Sequence, residues 1–63
     1  MNLVNGQMYE VLEMFPGGGW TVEAVYLGFE GGSHVFSGLY EEGEEMYDIR
    51  IAPEEVESRV REL

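Results

Sequence analysis

The side chains best equipped for acid–base, metal or electrostatic chemistry are carboxylates, and the densest run of them is Glu41-Glu42-Gly43-Glu44-Glu45, with Asp48 close behind. Hard cations such as calcium favour carboxylate oxygens, and a glycine permits the sharp turn that would gather them. The D-x-[DN]-x-[DN]-G spacing of a calcium loop is missing, however, and consecutive glutamates on an extended chain point to alternate sides. The run therefore reads first as a solvated loop, next as a docking site for basic side chains, and last as a metal site. Paired carboxylates can also perform general acid–base catalysis, but only in a cleft that drives their pKa values apart. A chain of 63 residues leaves little room for one. Ser33 adjoins His34, yet neighbours in a strand face opposite ways, so they form no nucleophile–base pair. Pro16-Gly17-Gly18-Gly19 matches neither glycine-rich phosphate motif, and the chain has no lysine to neutralise a phosphate. It reads as a hairpin tip. Cysteine is absent, which excludes disulfides, thiolate metal sites and thiol nucleophiles together. The expectation is a protein that is not an enzyme and carries no cofactor or metal.

Charge and aromatic content point elsewhere. Thirteen acids face three arginines, a formal net charge of −10. Such a surface disfavours direct binding to nucleic acid, which needs a basic footprint, and disfavours anionic membranes equally. Eight aromatic rings (Tyr9, Phe15, Trp20, Tyr26, Phe29, Phe36, Tyr40 and Tyr47) exceed what so small a core can enclose. Several are expected to stay at least partly exposed, particularly the tyrosines and Trp20, whose polar tips seek water or a partner. Aromatic faces beside carboxylates suit arginine or lysine side chains. Trp20, Tyr40, Glu41, Glu42, Glu44, Glu45 and Tyr47 are thus the candidate partner-binding residues, with a basic protein as the partner.

Glycine-rich turns divide the chain into the elements that must position these residues. Gln7–Phe15, Trp20–Phe29, His34–Tyr40 and Met46–Ile51 read as four strands of an antiparallel meander. Alternation fails in the second, where Glu23 shares a parity with Val25, Leu27 and Phe29; a strong bend or a bulge near Gly28 would resolve this. The tail from Pro53 to Leu63 reads as a helix. Proline stands at its first position, Glu54 and Glu55 follow, and Glu55/Arg59 and Glu57/Arg61 are spaced i,i+4. Val56, Val60 and Leu63 then share a stripe. The competing reading is one helical turn at Pro53–Val56 followed by a fifth strand. The whole is one domain, residues 1–63, with no basic, apolar leader and no membrane-length apolar run, so a cytoplasmic protein is expected.

The glycine-turned strands, the hairpin Tyr26-Leu27-Gly28-Phe29…His34-Val35-Phe36, and Asp48-Ile49-Arg50-Ile51 with the Ala52-Pro53-Glu54-Glu55-Val56 turn resemble an SH3-like small β-barrel. The resemblance spans most of residues 5–60. It implies a mainly β fold, a small antiparallel barrel of four to five strands with a short C-terminal helix. The A-L-Y-D-Y signature of true SH3 domains is missing, so their proline-rich ligand is not implied. The leading functional expectation is an interaction or regulatory module for a basic protein. Two others follow: a phage-type DNA mimic that inhibits a nucleic-acid-binding protein, and a homo-oligomer that hides strand edges.

Overall fold

A computed structural model describes residues 1–39 and 46–63 of the chain. Five strands, β1 (Met8–Phe15), β2 (Gly18–Glu30), β3 (Ser33–Leu39), β4 (Met46–Ile51) and β5 (Val60–Glu62), form one antiparallel sheet in the order β4-β3-β2-β1-β5. A 3-10 turn at Pro53–Glu55 and a single-turn helix α1 (Val56–Arg59) join β4 to β5. Among the described residues no helix is long and apolar enough to cross a membrane.

One face of the sheet carries the core. Tyr9 and Val11 of β1, Ala24 and Tyr26 of β2, Phe36 of β3, Ile49 and Ile51 of β4, and Val60 of β5 are buried together with Val56 of α1. Cross-strand register explains the set, since Tyr26 stands opposite Phe36, Phe36 opposite Ile49, and Val11 opposite both Val22 and Val60. Directly opposed apolar side chains of this kind are the unit of sheet stabilisation. The expected bulge is present. The β2–β3 register slips between Tyr26 and Gly28, leaving Leu27 outside the ladder, and Gly28 adopts a φ of +133° that side chains rarely tolerate. The slip reverses parity along β2. Residues 22, 24 and 26 face the core before it, and Phe29 rejoins that face opposite His34 after it.

Two expectations are corrected. The tail is not a continuous helix; the competing arrangement of a helical turn and a fifth strand is nearer. β1 would otherwise present a bare edge at Tyr9–Val11, and Val60–Glu62 pairs with that edge. Ladder hydrogen bonds there outweigh i,i+4 ion pairs worth a few tenths of a kcal/mol each. Val56 and Val60 are buried as the stripe required, but Leu63 is 67% exposed. Glu55 keeps its partner Arg59 at 3.3 Å. Arg61 instead lies on a strand, and the Glu57 carboxylate meets the Met1 amino group at 2.8 Å. That ammonium donates a hydrogen bond to Glu57 and attracts its charge, holding the carboxyl below the usual glutamate range.

The second correction concerns the tyrosines. Tyr9 and Tyr26 are only 1% and 5% exposed. Each hydroxyl finds a partner within the chain, which permits burial. The Val4 N–H donates to Tyr9 Oη at 2.9 Å, and Tyr26 Oη shares a 2.8 Å hydrogen bond with His34 Nδ1. Tyr9 packs edge-on against both Tyr26 and Phe36. Trp20 is exposed as expected, and Phe29 is exposed as well.

Candidate functional site

β1 and β2, of 8 and 13 residues, form a long hairpin. Among the described residues, β5 pairs with β1 at Tyr9–Val11, and β3 pairs with β2 from Ala24 to Glu30. Leu12–Phe15 and Gly18–Thr21 pair with each other, and among the described residues no third strand joins this two-stranded ribbon. Trp20 lies on this ribbon opposite Glu13, 56% exposed. Strand alternation places Trp20 and Val22 on the face that leads into the core, with Gly19, Thr21 and Glu23 on the reverse. Met14, opposite Gly19 on that reverse face, is also exposed.

The two long edges of the ribbon differ. On the β1 side Arg59 reaches in from α1, donating from Nε to the Leu12 carbonyl at 2.9 Å. The same guanidinium approaches Glu55 at 3.3 Å and Glu13 at 3.9 Å. One side chain thus ties helix, strand and ribbon together. On the β2 side, no strand pairs with Gly18–Glu23 among the described residues.

Acidic groups are concentrated along the ribbon and its base. Glu10 stands directly opposite Glu23, with Arg61 opposite Glu10 on the other side. Like charges directly opposed in a sheet destabilise it, so the Glu10/Glu23 pair favours an added cation. The third arginine, Arg50, approaches Glu30 at 3.6 Å at the far end of β2.

The expected site residues are distributed as follows. Trp20 and Tyr47 face the same side of the sheet on β2 and β4. Tyr47 is level with Ala24 through Gly38, and Trp20 lies four residues further along β2, about 13 Å at strand spacing. Tyr47 is half-buried, its ring lying over Gly38. Tyr40, Glu41, Glu42, Glu44 and Glu45 lie outside the described residues. Glu13, Thr21 and Glu23 did not stand out in the sequence, because nothing in it shows which residues β1 and β2 place opposite one another.

A second concavity, a cleft of about 470 Å³, lies where the N-terminal residues meet the 3-10 turn, lined by Leu3, Tyr26, His34, Pro53, Val56 and Glu57 among others. His34 packs here edge-on against the exposed ring of Phe29, with centroids 4.9 Å apart. Its Nδ1 is engaged by Tyr26, and Ser33 sits on the opposite face, so the cleft offers no assembled nucleophile. Among the described residues no group of three or more His, Asp or Glu side chains is placed to hold a metal ion. No protein-family model, curated protein or solved structure matches the chain.

Proposed function

We propose that the chain is a non-enzymatic interaction module, an SH3-like small barrel, that engages a basic protein partner in the cytoplasm through acidic and aromatic side chains. The barrel reading is supported by the β4-β3-β2-β1-β5 order, by the helical turn between β4 and β5, and by a core that draws on both edge strands. A sheet whose opposite edges share one core must curl. The binding reading rests chiefly on one observation: an exposed Trp20 opposite Glu13 on the β1–β2 hairpin, in a chain with ten more acids than bases. Trp20, with Tyr40 and Tyr47, supplies the contact surface. Glu41, Glu42, Glu44 and Glu45 supply long-range attraction, which acts mainly on the rate of encounter.

The test is to capture a partner from native lysate and measure its association kinetics. The Glu42→Lys/Glu44→Lys double variant is expected to slow association and flatten its dependence on salt. Trp20→Ala is expected to speed dissociation by about tenfold or more, the loss typical of a central aromatic contact. On-rates unchanged at low salt would remove the electrostatic half of the proposal. Competition with duplex DNA, together with binding that survives Trp20→Ala, would transfer the chain to the DNA-mimic class. A self-associated species at micromolar concentration that binds no foreign partner would make it a homo-oligomer subunit.

A further inference from the structure

We propose that Asn5-Gly6 is a self-modification site gated by the fold: the Gly6 nitrogen closes on the Asn5 side-chain amide, expels ammonia and leaves a residue that no longer holds the β2 bulge. The proposal is independent of what the acidic and aromatic surface binds. The chain has two asparagines, Asn2 and Asn5. Asn2 precedes Leu3, whose side chain hinders attack by the next backbone nitrogen. Asn5 precedes a glycine, which offers no such obstruction, and it is exposed to water.

The chemistry balances within the chain and water. A solvent base removes the Gly6 N–H proton and the nitrogen bonds to Asn5 Cγ. The Cγ–Nδ2 bond breaks, and Nδ2 takes up a proton and leaves as ammonia. Water then opens the five-membered imide. Cleavage at Cγ restores the ordinary backbone with an aspartate. Cleavage at the backbone carbonyl carbon routes the chain through Cβ and Cγ, an isoaspartyl link with one extra main-chain carbon. Either product makes the formal charge one unit more negative than −10.

The fold holds both nitrogens of this reaction. The Gly6 N–H donates to the Tyr26 carbonyl at 2.8 Å, and Asn5 Nδ2 donates to the Leu27 carbonyl at 3.1 Å. These acceptors are successive carbonyls of β2, at the point where its register with β3 slips. The Gln7 N–H closes the segment onto the Val4 carbonyl at 3.1 Å, with Gly6 at a φ of +84° and no positive φ at Asn5. Those features define a type II turn, in which the residue at the Asn5 position has a ψ of about +120°. Ring closure requires the Gly6 nitrogen to turn toward Asn5 Cβ, a rotation of ψ that the closed turn does not permit. The native turn therefore holds the reaction back, and conversion runs through local opening of residues 4–7.

The same contacts define what the reaction undoes. Leu27 lies outside the ladder, and the Asn5 amide donates to its carbonyl. A Cβ at Gly28 would stand 3.3 Å from Asn5 Nδ2, so the amide lies directly against the bulge. An ionised aspartate has no donor to offer the Leu27 carbonyl and sets a negative charge beside it. An isoaspartyl link also shifts the Gly6 N–H away from Tyr26. Opening that is transient with asparagine becomes lasting in the product, beside the cleft lined by Leu3, Tyr26 and His34.

The experiment incubates the full chain in mildly alkaline buffer, folded and in concentrated guanidinium chloride, and follows ammonia release and amide-to-acid conversion by peptide mapping. In the unfolded chain Asn5 should convert faster than Asn2. Folding should slow conversion at Asn5 by about tenfold or more. Asn5→Gln, whose ring would have six members, should abolish ammonia release from this position over the same time. Asn5→Asp, one of the two products, should quicken amide exchange at Gly6 by about tenfold while leaving β3 and β4 unchanged. If that variant fails to fold, the converted fraction of the aged natural protein, separated by charge, gives the same comparison. An Asn5 that stays intact in the unfolded chain overturns the site. Equal rates in folded and unfolded chains overturn the gating, and unchanged exchange at Gly6 overturns the loss of hold on the bulge.

Discussion

At Gly38 a missing side chain determines where an aromatic ring lies. A Cβ placed there would come within 2.8 Å of Tyr47 Cζ and 3.1 Å of its hydroxyl oxygen. The backbone is extended, so glycine is required for space and not for an unusual φ. Glycine inside a strand forfeits packing and ordering entropy, and often marks a close approach of this sort. Here the close approach lays Tyr47 across β3 toward β2, on the face that also carries Trp20. Gly38→Ala should therefore lower stability by about 1–3 kcal/mol, the usual cost of overpacking. The second substitution Tyr47→Ala removes the ring that Gly38 accommodates, so the double variant should be more stable than the sum of the single losses predicts. Urea unfolding of the four proteins measures this directly. Strict additivity would mean that the ring is not what Gly38 makes room for.

Among the elements, the ribbon depends on an anchor outside itself. Two paired strands without a third are marginal in water. Leu12–Phe15 and Gly18–Thr21 are held at their base by Arg59, whose side chain is largely enclosed and bonded to the Leu12 carbonyl. Arg59→Met keeps much of the packing stem and removes the bonds. It should cost about 1.5–3 kcal/mol, the range for a hydrogen bond to a charged group. The loss should appear first as faster amide exchange in the ribbon, ahead of β3 and β4; uniform acceleration across the sheet would show that Arg59 acts on global stability alone. This anchor also marks the limit of what the sequence reveals. Met46–Ile51 was readable because Tyr47, Ile49 and Ile51 alternate cleanly, and the bulge because Glu23 clashed in parity with Val25 and Phe29. The tail was misread because its decisive partner, the edge of β1, is almost fifty residues away and leaves no local mark. The buried Tyr9 and Tyr26 were missed for a different reason: the Val4 N–H and His34 Nδ1 that meet their hydroxyls are only five and eight residues away, and no motif marks either pairing. Of the candidate site, Trp20 was recognisable by type.

At the scale of the whole molecule, the charge sets a balance that salt can shift. The chain spans 28 × 27 × 23 Å, so at about 0.01 M ionic strength, where the screening length is about 30 Å, each of its charges acts on all the others. At about 1 M that length falls to roughly 3 Å and only direct neighbours interact. Two opposing effects follow. Screening weakens ion pairs such as Arg50–Glu30 at 3.6 Å, in which both partners are exposed, but pairs of that kind are worth about 0–1 kcal/mol. Screening also weakens the mutual repulsion of the ten surplus negative charges, which opposes compaction throughout the molecule. The repulsive sum runs over many more pairs than the attractive one, so it should prevail. Thermal unfolding in sodium chloride should accordingly rise by roughly 4–8 °C for each kcal/mol of repulsion relieved, with most of the gain complete once the screening length falls below about 10 Å. Potassium chloride should act identically, because the effect is one of ionic strength. A melting temperature that fell with added salt would place the ion pairs, Arg59 with Glu13 and Glu55 first among them, above repulsion in setting stability. A rise would mean that the fold tolerates its charge at a cost, and that a bound polycation should raise the melting temperature at low salt most of all.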